Sequence, residues 1–130
     1  MNADALSASL IETEADAYGV PGVVLLTMNR PDAFNALSES LLDALQEALN
    51  GLAASQARVV VIAGAGRAFC AGHDLKEMRA APSLEYYQTL FARCTKLMMT
   101  IQRLPQPVIA RVHGIATAAG CQLVAMCDLA

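Results

Sequence analysis

Three short apolar runs, none of them alternating with polar residues, constrain this chain more than any other feature. They are Gly22–Met28 (GVVLLTM), Arg58–Ala63 (RVVVIA) and Val108–Val112. A half-buried strand alternates apolar and polar side chains. A strand covered on both faces does not, which would explain Arg58–Ala63. Helical sequence fills the gaps. Ser38 can cap a helix to about Ala54, with Leu41, Leu42, Leu45, Ala48, Leu49 and Leu52 on one stripe and Glu39, Asp43, Gln46, Glu47 and Asn50 opposite. Asp74 to about Arg79 predicts a short helix. Ser83 can cap a long one to about Leu104, with Tyr87, Leu90, Phe91, Cys94, Leu97, Met98 and Ile101 as its apolar face and Pro105 and Pro107 beyond its end. Ala119–Met126 predicts an apolar helix, and Cys127–Ala130 the start of another strand. Strands alternating with helices give an α/β fold. Residues 1–18, polar and weakly periodic, read as a flexible arm leading into a strand.

Several classes are excluded. The 130 residues carry a net charge of −3, and their basic residues are scattered from Arg30 to Arg111, so there is no nucleic-acid footprint. The closest candidate for a membrane span, Gly114–Ala130, is short for a bilayer and is interrupted by Gln122 and Asp128, so no span is expected. The stretch Met1–Tyr18 holds Asp4, Glu12, Glu14 and Asp16 without a Lys or Arg, unlike a targeting peptide. Cys70, Cys94, Cys121 and Cys127 form no CxxC, and only His73 and His113 could join them, so neither a metal site nor a disulfide framework is expected. Reduced thiols in a cytoplasmic protein are the expectation. Hydrophobic residues make up 55% of the chain, more than its own surface covers easily, which predicts a partner chain or further sequence.

Two loops carry candidate chemistry, each running from a strand into a helix. The first is Arg67–Lys76 (RAFCAGHDLK) and the second His113–Leu123 (HGIATAAGCQL). Small residues let a ligand approach the main chain, and a helix start leaves N–H groups without internal partners. Two such groups aimed at one point make an oxyanion hole. The same features also serve phosphate and carboxylate sites, or merely tight turns and close packing. Neither loop matches GxxxxGK[ST]. His113 reads as a structural histidine at a strand end, Asp74 as a helix N-cap, and Cys70 and Cys121 as non-nucleophilic.

Asn29-Arg30-Pro31 with Asn35-Ala36-Leu37, then Ala68–Leu75 (AFCAGHDL), then Pro107-Val108-Ile109-Ala110 with Gly114 and Gly120-Cys121-Gln122-Leu123, follow one another in a familiar order and spacing. Together they resemble the crotonase (enoyl-CoA hydratase/isomerase) superfamily over about Gly22–Ala130. The stretch Ala116–Leu123 with His73–Glu77 is most similar to its divergent branch, the enoyl-CoA hydratase domain-containing protein 3 type. The resemblance implies a spiral of ββα turns, of which residues 1–130 would be the N-terminal part only, and a homo-oligomer, trimer or hexamer. It implies an acyl-CoA substrate whose coenzyme A is part of the substrate, with no separate cofactor. By position, the backbone N–H groups of His73 and Ala119 are the oxyanion donors, and Ala71, Asp74, Leu75 and Lys76 line the thioester site. Gln122 stands where family hydratases carry a catalytic Glu, and an amide cannot exchange a proton near neutral pH. Water addition to a 2-enoyl-CoA is the leading expectation. Isomerisation, thioester hydrolysis, or acyl-CoA binding and oligomer formation without catalysis are the alternatives.

Overall fold

The computed structural model describes residues 9–130. The three apolar runs are the strands β2 (Val23–Met28), β3 (Val59–Gly64) and β4 (Val108–Arg111), and β1 (Ile11–Glu14) lies outside β2. The sheet order is β1-β2-β3-β4. β1 is antiparallel to β2, with Ile11 opposite Met28. The remaining pairs are parallel, with Val23 opposite Val59 and Val60 opposite Val108. The expectation that β3 is buried on both faces holds: Val60, Val61, Ile62 and Ala63 are all buried.

Strand β1 corrects the arm expected over residues 1–18. Its first part, residues 1–8, lies outside the described residues, but Ile11–Glu14 pairs along β2. Only Ile11 of its four residues is buried, so there was no apolar run to read. The chain then turns through Asp16 and Tyr18, both at positive φ, and the Asp16 carboxylate accepts the Gly22 N–H at 2.8 Å.

Helices cover one face of the sheet. They are α1 (Glu39–Ala53), α2 (Leu75–Ala80), α3 (Leu84–Arg103) and α4 (Ala119–Met126). The expected caps form: Ser38 Oγ accepts the Leu41 N–H, and Ser83 Oγ the Tyr86 N–H. Leu41, Leu42, Leu45 and Leu49 of α1 and Leu90, Cys94, Leu97, Met98 and Ile101 of α3 join Leu26, Met28, Val60, Ile62 and Val108 in one core. Each buried Leu removes apolar surface worth about 2 kcal/mol. Leu25, Val61 and Ala63, on the opposite face, pack around Ala17.

A second ladder runs beside the sheet as single parallel bridges. Leu37 pairs with His73, and Cys70 with Ala116. Each turn of chain therefore passes through a sheet strand, a bridge and a helix: β2, Leu37, α1; β3, Cys70–His73, α2 and α3; β4, Ala116, α4. This is the ββα spiral. Leu129 bridges to Ile109 and opens the next turn, as Cys127–Ala130 predicted.

Candidate functional site

The two loops lie side by side because their backbones are zipped together. The Phe69 and Cys70 N–H groups donate to the Ile115 carbonyl at 2.9 and 3.1 Å, and the Thr117 N–H donates to the Cys70 carbonyl at 3.1 Å. Gly72 and Gly120 allow this closeness. A Cβ at Gly72 would stand 3.0 Å from Ala118 Cβ and 3.1 Å from the Ala119 nitrogen, and Gly72 has φ +90°. A Cβ at Gly120 would overlap the Cys70 carbonyl.

The second loop ends in a tight turn. The Gly120 N–H donates to the Thr117 carbonyl at 2.8 Å. Ala118, the first central residue, has φ 51° and ψ −125°. That is the type II′ geometry glycine normally supplies. α4 starts directly after it with no side-chain cap, so its first N–H, on Ala119, has no acceptor among the described residues. The His73 N–H has none either. Gly72, which precedes His73, abuts Ala119, so the two bare N–H groups belong to one junction.

Side chains around the first loop fix its shape. Asp74 is the expected N-cap, its Oδ1 accepting the Lys76 and Glu77 N–H groups at 3.0 and 3.1 Å. Its Oδ2 accepts from Arg30 Nη2 at 2.7 Å, and Arg30 Nη1 donates to the Ala36 carbonyl at 3.0 Å. That hydrogen bond from Arg30, helped by the two N–H groups, holds the Asp74 carboxyl below its ordinary range against the opposing effect of burial. Asn35, fully buried, accepts the Arg30 N–H and donates to the Ala65 and Ala68 carbonyls. Glu77 Oε1 accepts the Glu39 N–H at the start of α1. Arg30 and Asn35 were visible in the sequence only as parts of a motif; their roles depend on partners far along the chain.

The remaining expected site residues lie on the same two loops and the helices that follow them. The Ala71 N–H donates to the Phe34 carbonyl at 3.0 Å. Leu75 and Lys76 are exposed on α2. Gln122 is exposed in the first turn of α4, its N–H donating to the Ala118 carbonyl at 3.1 Å. The His73 ring is half-buried against Phe91, and its burial lowers its pKa from 6.5. His113 Nε2 lies 2.6 Å from the Gly66 carbonyl, a structural contact as expected. Burial pushes the thiols of Cys70 and Cys127 up to about 11, so both stay protonated at neutral pH. A cavity of about 540 Å³ lies along α3, lined by Ala92, Lys96, Met99 and Arg103 among others, and shares no residue with either loop.

A sequence model of the family described as enoyl-CoA hydratase/isomerase matches residues 19–130. The whole chain is 41% identical to 43% of the mitochondrial enoyl-CoA hydratase domain-containing protein 3 of Danio rerio. A crystal structure of an enoyl-CoA hydratase from Mycobacterium smegmatis is 67% identical, with a TM-score of 0.89, over 94% of this chain and 47% of that one. The structure of human enoyl-CoA hydratase domain-containing protein 3 aligns with a TM-score of 0.84 at 38% identity, over 92% of this chain and 46% of that one. The chain thus spans less than half the length of these relatives.

Proposed function

The chain belongs to the enoyl-CoA hydratase/isomerase family, and from that premise we propose that it binds an acyl-CoA thioester and polarises the carbonyl between the backbone N–H groups of His73 and Ala119. One observation carries this reading: Gly72 seats the first loop against Ala118 and Ala119, leaving two acceptor-free N–H groups at one junction. Both donors are main-chain groups on a braced scaffold, so they need no reorganisation when charge develops on the oxygen. Each such donor is worth about 3 kcal/mol in a transition state.

In the hydratase reading, water adds to C3 of a 2-enoyl thioester and the electron pair moves onto the carbonyl oxygen. The resulting enolate is stabilised by the two N–H groups until C2 takes a proton. Gln122 orients the water by hydrogen bonding but cannot take its proton. Acid–base catalysis contributes about 10²–10⁴-fold, so a carboxylate elsewhere in the full-length protein must supply it. Crotonyl-CoA hydration by the full-length protein tests this, and turnover no faster than background removes the hydratase assignment. Binding of saturated acyl-CoA esters tests the carbonyl site separately.

Gln122 favours a second reading, in which the same carbonyl site serves isomerisation, thioester hydrolysis or binding without turnover. Gln122→Glu tests what remains within this second reading. Hydration gained by a protein whose wild type lacks it marks an intact carbonyl site missing only its base, whereas no gain leaves binding without turnover or another chemistry. A cytoplasmic location is part of this proposal, whereas the relative from Danio rerio is named mitochondrial. Fractionating cells that express the full-length protein decides between them.

A further inference from the structure

His73 places more than a backbone N–H at the junction. Its ring meets Phe91 of α3 edge to face, with centroids 5.2 Å apart and planes at 67°. Such pairs add about 1 kcal/mol to the burial of their rings and hold a defined geometry. α3 is braced from the same side, because the Tyr87 hydroxyl, one turn before Phe91, donates to the Met78 carbonyl of α2 at 3.2 Å. The His73 Nδ1 is buried with no hydrogen-bond partner among the described residues, and burial lowers the ring's pKa, which favours the uncharged imidazole. Phe91 nonetheless leaves 46% of its surface exposed, and Leu75, two residues after His73, leaves 65%. Uncharged and apolar surface left open around polar donors is the composition of a small-molecule site.

We propose that the His73–Phe91 pair is the wall of the acyl pocket and holds the site to short acyl groups. The proposal rests on the reading of His73 and Ala119 as carbonyl donors. The His73 ring starts from the Cα bonded to the donor nitrogen, so it stands within one side chain's length of that nitrogen, with the Phe91 ring centred 5.2 Å beyond it. An acyl chain leaving that carbonyl meets two rings locked against each other, with Leu75 at the rim.

The test measures binding of saturated acyl-CoA esters, from acetyl to decanoyl, to the full-length protein by titration calorimetry. His73→Ala keeps the backbone donor and removes only the ring; Phe91→Ala removes the other half of the wall. In both variants the affinity for decanoyl-CoA relative to acetyl-CoA should rise on the order of tenfold. Phe91→Leu, which keeps an apolar side chain on α3, should give a smaller shift in the same direction and remains informative if Phe91→Ala fails to fold. A ratio that does not move, or affinities that change equally at every chain length, overturns the proposal. A thioether analogue, with a methylene in place of the carbonyl, addresses the donors alone. If it binds the wild type as tightly as the thioester, the carbonyl reading fails whatever the chain-length series shows.

Discussion

Ala118 is the residue under most evident local strain. Its φ of 51° and ψ of −125° place an L-residue where glycine belongs, a conformation that costs about 1–3 kcal/mol. It persists because the Thr117–Gly120 hydrogen bond and the contact with Gly72 fix the turn from both sides. Ala118→Gly should therefore stabilise the protein by about 1 kcal/mol, read as a higher denaturant midpoint. No gain would mean that the methyl group's packing on Gly72 offsets the strain. Asp74 gives a prediction of opposite character. Its carboxyl is held below its ordinary 3.8, first by the Arg30 hydrogen bond. A carboxyl depressed by folding stabilises above its unfolded value and loses that contribution as pH falls through the folded one. The Asp74→Asn variant should thus be less stable than wild type by about 2 kcal/mol at neutral pH. The gap should close as pH drops below 3.8. Unfolding curves at several pH values check it, and a gap independent of pH would remove the ion pair from the explanation.

Among the elements, those whose signals are local could be read from the chain, and those defined by distant partners could not. β2, β3 and β4 stood out as short apolar runs, and β3 is buried on both faces. The Ser38, Asp74 and Ser83 caps stood out because each cap and the N–H it serves lie within three residues. β1 has one buried residue and no run, and the second ladder is made of single bridges, too short to leave a pattern. The site divides the same way. Both loops were legible from their small residues and following helices, and His73, Ala119 and Gln122 from the resemblance. Arg30 and Asn35 grip partners 44 and 30–33 positions away, and no spacing rule reaches that far. α3 also permits a quantitative check on the element scale. Leu97 is fully buried on its core face and belongs to the same cluster as Leu42 and Leu45 of α1. Leu97→Ala should cost about 3 kcal/mol, the transfer loss plus a cavity that two braced helices cannot close. A loss under about 1 kcal/mol would show that α3 relaxes toward α1 far more freely than this packing implies.

At the scale of the molecule, the ββα spiral explains both the site and what the chain leaves open. Each turn adds a strand on one side and a bridge on the other, so loops from successive turns meet at one end; there His73 and Ala119 come together. The same geometry stacks helices on one face of the sheet and leaves the rest of the surface with little to cover it. Leu84, Ile115, Leu75 and Leu129 are 74, 67, 65 and 63% exposed. On the far face of the sheet, among the described residues, Ala17 packs with Leu25, Val61 and Ala63, and Val23, Val59 and Ile109 are partly buried beside them. A soluble monomer seldom leaves so many large apolar groups in water, because each carries a hydration cost of the order of 1–2 kcal/mol that association removes. Purified as the 130-residue chain, the protein should therefore associate and bind a hydrophobic dye. Light scattering on a size-exclusion column should give a mass above that of one chain, falling only in denaturant. A dispersed single chain at tens of micromolar that leaves the dye dark would contradict the argument. It would mean that the exposed leucines fold back onto their own surface in solution.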